Sequence, residues 1–127
     1  IEGLSVYENL LAPFALTNFK ANVREEMIKK ALNLANISHK RDENVSNLSG
    51  GERQRCAVAR ALSMDADIIL ADEPTANLDR QNARAFLGLL ESFKALKKSV
   101  IVATHDSIFD ELSATDRVVS LQNGEIV

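Results

Sequence analysis

Two short apolar runs constrain this chain more than any other feature in it. DIILA (67–71) and SVIVAT (99–104) are almost wholly apolar over five or six residues. Runs of that length and kind suit strands buried on both faces of a parallel sheet. Between them, RQNARAFLGLLESFKALKK places Ala83, Phe86, Leu87, Leu90 and Phe93 at the spacing of one helix face. Strand, helix, strand in that order is a right-handed crossover unit, so the second half of the chain is α/β. A short helix over 107–113, a strand over 117–121 and an Asn-Gly turn at Asn123 and Gly124 are expected to follow.

The first half has a different rhythm. SVYENLLAPF (5–14) opens at a capping serine and stops near Pro13, which cannot continue a helix. NVREEMIKKALNLANI (22–37) predicts a helix with Asn22 as N-cap, Glu25 three residues on, and Met27, Ala31, Leu32 and Ala35 on one face. A polar stretch then leads to LSGGERQRCAVARAL (48–62), expected to be helical from Gly51 to about residue 63. Taken alone, Ser49 and Glu52 have the spacing of a capping box. The same residues also suit an anion. Gly50 and Gly51 let backbone amides approach a ligand closely, and a helix N-terminus offers unpaired donors and partial positive charge.

The first apolar run delivers two acids, Asp72 and Glu73, to the carboxyl end of its strand, the edge at which open α/β sheets bind ligands. Adjacent strand residues point to opposite faces, so the two carboxylates can take different tasks. Asp72 suits a Mg²⁺ ion and Glu73 a base acting on water. Pro74, lacking an amide donor, ends the strand. His105 falls just past the second run, next to that edge, where an imidazole can donate to a phosphate oxygen. His39, in a charged stretch, reads as surface, and the single Cys56 reads as a packing residue of a chain without disulfides.

Composition narrows the partners. Fifteen basic against eighteen acidic residues give a net charge of −3 with no basic stripe, so nothing argues for nucleic acid. No apolar run approaches the ~18 residues of a membrane span.

Four motifs now carry a resemblance. LSGGERQR (48–55) resembles the signature motif of ATP-binding-cassette ATPases, and IILADE (68–73) resembles their Walker B strand with its glutamate. ANLD (76–79) is similar to their D-loop, and ATHD (103–106) to their switch-histidine loop. ADEPTANLD and the tail ATDRVVSLQNGEIV look most like the small export-type cassettes, the lipoprotein-releasing and macrolide-efflux ATPases.

The resemblance implies a P-loop-NTPase-like parallel sheet with an α-helical subdomain. Residues 1–48 would form that subdomain, continuing through the signature helix to about 63, and residues 49–127 the later half of the ATPase core. It also implies ATP and Mg²⁺, a head-to-tail dimer with a second nucleotide-binding domain, and a transmembrane permease that holds the cassette on the cytoplasmic face of a membrane. By the same resemblance Ser49, Gly50 and Gly51 meet the γ-phosphate held by the facing subunit, and Glu52 orients their loop. Asp72 holds Mg²⁺, Glu73 polarises the attacking water and His105 senses the γ-phosphate. Asp79 links the two sites, although it is equally placed to cap the following helix.

One family element is missing. The five glycines stand at 3, 50, 51, 88 and 124, and no G-x-x-x-x-G-K-[ST] phosphate loop occurs. The chain therefore reads as a carboxy-terminal piece of a cassette, cut at both ends and inactive in ATP hydrolysis by itself. The missing phosphate-loop strand would lie between the histidine strand and 117–121. Those two strands are expected to pair directly, or a second copy to fill the gap. Soluble cassettes of DNA repair or translation, and a non-catalytic cassette fragment acting by dimerisation, are the alternatives. No coiled-coil insertion of the repair type interrupts the chain.

Overall fold

In the computed structural model, which describes residues 1–127, the first half is three helices around a closed apolar centre. Helix α1 (Val6–Leu11) begins at Ser5, whose hydroxyl accepts the Glu8 amide while the Glu8 carboxylate accepts the Ser5 amide. It tightens into a 3₁₀ segment, Ala12–Leu16, where Pro13 has no amide to give. Helix α2 (Ala21–Leu34) does not start at Asn22. Its N-cap is Lys20, with no side-chain cap, and Asn22 lies inside the first turn. Glu25 is drawn elsewhere: its carboxylate accepts from the Arg41 guanidinium at 2.6 Å, a charge-assisted bond stronger than a backbone amide offers. Arg41 also stacks over the Tyr7 ring at 4.3 Å. Helix α3 (Gly50–Ser63) forms as expected and packs on α1 and α2.

Val6, Leu10, Ile28, Ala35, Ile37 and Ala59 meet in this centre with no exposed surface, and Cys56 is buried among them. Burial raises the Cys56 thiol pKa, which suits packing rather than reactivity. His39 is exposed. The apolar cluster runs on without a break into Ile69, Phe86, Leu89, Leu90 and Phe93 of the second half.

There, β1 (Ile68–Asp72) and β2 (Ser99–Ala103) pair in parallel, Ile68 opposite Ser99 and Asp72 opposite Ala103. Helix α4 (Arg80–Ala95) joins them and buries Ala83, Phe86, Leu87, Leu90 and Phe93. Burial on both sheet faces does not hold. Ile69, Val100 and Val102 turn inward, whereas Ile68, Leu70 and Ile101 are 60%, 74% and 61% exposed. Alternate strand residues face opposite ways, and the helices of these 127 residues cover one side of the sheet.

The tail departs further from expectation. Residues 107–113 give a 3₁₀ segment, Ser107–Glu111, in place of an α-helix. No strand forms over 117–120; β3 (Leu121–Gln122) and β4 (Glu125–Ile126) make a small antiparallel hairpin instead. Its turn is the predicted one, with Asn123 and Gly124 at φ 53° and 84°, the two positive angles a two-residue hairpin loop needs. A strand forms where it finds a partner, and here the turn supplies one locally. The direct pairing of the two flanking strands does not occur, because β2 pairs with β1 alone within the chain.

Candidate functional site

The carboxyl ends of β1 and β2 lie side by side, and the two loops leaving them carry most of the polar chemistry. Glu73 follows β1 directly, and its amide still donates to the Ala103 carbonyl at 2.8 Å. Its backbone then turns to φ 42°, a left-handed angle that a side-chain-bearing residue adopts at some cost. That turn aims the carboxylate at the second loop. His105 Nδ1 lies 2.7 Å from Glu73 Oε1, and the Thr104 hydroxyl donates to Oε2 at 3.2 Å. The His105 bond holds the Glu73 carboxyl below its ordinary range, and the same bond raises the imidazole above its own. Asp72, one residue earlier, is exposed, and its side chain makes no hydrogen bond or ion pair. The two acids do have separate settings.

Across a cleft of about 370 Å³ from Glu73 lies the start of α3. Gly50, Arg53, Gln54, Glu73, Pro74 and Asn77 line it, with Leu78 beside them. Ser49 is the N-cap of α3: its hydroxyl accepts the Glu52 amide, and Glu52 accepts the Ser49 amide at 2.8 Å. That bond lowers the Glu52 pKa and keeps it ionised, and Lys40 stands 3.6 Å away. The capping box thus exists, yet it leaves the Gly50 and Gly51 amides without a protein acceptor. These are the orphan donors of a helix start. The cap and the anion site are compatible.

The glycines also let two segments touch. A Cβ on Gly51 would sit 2.5 Å from Asn82 Oδ1, and one on Gly50 3.4 Å from the Asn77 carbonyl. Asp79 holds Asn82 in that position. It caps α4 by accepting the Asn82 amide, and its second oxygen accepts from Asn82 Nδ2 at 2.8 Å. The amide bond lowers the Asp79 pKa.

Glu73 and His105 are therefore brought together, and Ser49, Gly50, Gly51 and Glu52 form one helix start, of which Gly50 faces Glu73 across the cleft. Asp79 belongs with Asn82, behind that start. Sequence reasoning passed over Thr75, Thr104 and Asn82. Each sits one to three residues from a motif acid or histidine, in the loop that follows a strand or the helix turn after it; that proximity was the available signal.

Residues 1–76 match the family model described as ABC transporter. The lipoprotein-releasing system ATP-binding protein LolD of Anaplasma marginale is 39% identical over 98% of this chain and 55% of its own length. The macrolide export ATP-binding/permease protein MacB of Chlorobium luteolum is 34% identical over 100% of this chain and 19% of its own. A solved dimeric structure of a bacterial ABC transporter cassette matches with a TM-score of 0.79 at 30% identity, covering 99% of this chain and 56% of that one. The chain spans about half the length of the cassette-sized relatives and a fifth of the fused permease.

Proposed function

Because the chain belongs to the ABC transporter family, whose matched relatives are ATP-binding proteins, we propose that it is part of an ATP-hydrolysing transporter subunit. The observation that carries this is the Glu73–His105 pair at the carboxyl ends of β1 and β2; the Gly50 and Gly51 amides, left free at the start of α3, add a second polar surface. Backbone donors at a helix start favour a phosphate, and a carboxylate held ionised at a strand end suits a water. In this scheme Ser49, Gly50 and Gly51 meet the phosphate of ATP bound by a second nucleotide-binding domain, and Glu52 fixes their loop through the Ser49 amide. His105 donates to the γ-phosphate and Glu73 polarises the attacking water. With its pKa depressed, Glu73 acts first as a charged acceptor that orients the water. Asp79 ties the two sites through Asn82 and Gly51.

Mg²⁺ fits the donor set. No group of three or more acidic, histidine or cysteine side chains converges into a protein cage, and Asp72 offers one free carboxylate. Mg²⁺ is commonly held by one or two carboxylates together with substrate phosphates, and it neutralises their charge. Asp72 is the residue that would hold it.

The organisation follows the same scheme. Residues 1–48, continuing through α3 to about 63, are the helical subdomain, and 49–127 the later half of the ATPase core. The subunit works on the cytoplasmic face of a membrane through a permease, and no helix of the chain is long and apolar enough to cross one itself. No nucleic acid is involved. Without a phosphate loop among its residues the 127-residue chain alone hydrolyses no ATP above background. Joined to a relative's phosphate-loop segment, it should hydrolyse ATP, and Glu73→Gln should keep ATP binding while cutting turnover roughly 10²-fold or more. Normal turnover in that variant would remove Glu73 from the reaction.

A further inference from the structure

The Glu73–His105 pair poses a mechanical question. Exposed ion pairs are loose, because two mobile side chains lose entropy on meeting in high dielectric. The His105 side chain is 86% exposed, so little packs against the ring to aim it. Its placement has to come from the loops beneath. Beneath the pair those loops are joined by a part-buried bond: the Thr75 hydroxyl, on a residue only 3% exposed, donates to Asp106 Oδ2 at 2.7 Å. Thr75 stands two residues after Glu73, and Asp106 one after His105.

The rest of Asp106 is committed as well. Its Oδ1 accepts the Ile108 amide at 3.0 Å, and its own amide donates to Thr104 Oγ1 at 3.0 Å. The Thr104 hydroxyl in turn donates to Glu73 Oε2. A ring of hydrogen bonds thus runs from Glu73 through Thr104 and Asp106 to Thr75, and back along the chain to Glu73. A hydroxyl-to-carboxylate bond is among the stronger kinds, more so where water is scarce. It also helps to hold the left-handed backbone at Glu73, which persists only where its surroundings determine it.

We propose that Thr75 and Asp106 form a latch between the two strand-end loops and are positioning residues for the Glu73–His105 pair. This rests on the pair's place in the ATP site for its importance, but not for its test. Long-range ¹H–¹⁵N spectra of the 127-residue chain, at one fixed pH and without nucleotide, compare the ring nitrogens of His105 with those of exposed His39. Thr75→Val, which keeps the shape and loses the hydroxyl, should close at least half the separation between the two histidines. Thr75→Ser should restore it. Asp106→Asn, a neutral acceptor, should move it the same way by less, and serves if the valine variant fails to fold. An unchanged His105 signature in a folded Thr75→Val or Asp106→Asn chain overturns the latch. Because no nucleotide enters, that result is independent of the Glu73→Gln turnover test of the ATPase role.

Discussion

The two halves of this molecule solve burial differently. The helical half hides the side chains at its centre completely: Val6, Leu10, Ile28 and Ile37 have no exposed surface and belong to the cluster that runs on into the second half. The strand half is closed on one side. Ile69 and Phe93 join the common core, while Ile68, Leu70 and Ile101 stand on an uncovered sheet face. A helix needs one apolar stripe covered, whereas a strand of an all-apolar run presents two faces and needs two layers. Apolar pattern therefore specifies local packing in the first half and only a demand for packing in the second.

The largest effect should break the symmetry of two similar truncations. Ile28→Ala removes a fully buried side chain of α2 and should cost about 2–5 kcal/mol in urea unfolding. Leu70→Ala, on the bare face of β1, should stay within about 0.5 kcal/mol. If the two losses match, the outer sheet face is covered in solution and the contrast between the halves fails.

Legibility followed the same division. The helix at Gly50–Ser63 could be read from Ser49 and Glu52 because a cap is a contact over three residues. The hairpin turn at Asn123 and Gly124 is likewise local. Asn22 and Glu25 have the same spacing as a capping box and mislead, because Arg41, sixteen residues away, takes the carboxylate. The strand expected over 117–121 failed for want of a partner, which no run of apolar residues can report about itself. In the candidate site, Glu73 and His105 were legible as residue types at strand ends. Thr104, which bonds Glu73, and Thr75, which bonds Asp106, were not, because those bonds span 31 positions.

Caps sharpen this at a smaller scale. Ser49→Ala should lower stability by about 1 kcal/mol, since the Glu52 amide loses its acceptor. Asn22→Ala should gain a few tenths of a kcal/mol, because Asn22 lies in the first turn rather than at the cap and alanine is the better helix former. Thermal unfolding of the two variants side by side decides it. Equal losses would return Asn22 to the cap position.

The smallest effect concerns pH, and it belongs to the half whose chemistry is exposed. His105 is raised by its bond to Glu73, so the stability it contributes is fully present below the ordinary imidazole range and is lost as pH rises through the raised value. Glu73 is lowered by the same bond, so its contribution is present above the ordinary carboxylate range and is lost as pH falls through the depressed value. The pair is therefore fully formed in the window between those two ranges, from mildly acidic pH toward neutrality, and weakens on both sides of it. In Glu73→Gln the imidazole loses its charged partner, and its titration midpoint should fall back toward the ordinary histidine value. Proton NMR of the His105 ring C–H signals across that window measures the midpoint in the unaltered chain and in the variant. A His105 midpoint that is the same in the unaltered chain and in Glu73→Gln would mean the two strand-end loops do not hold their charges together in solution.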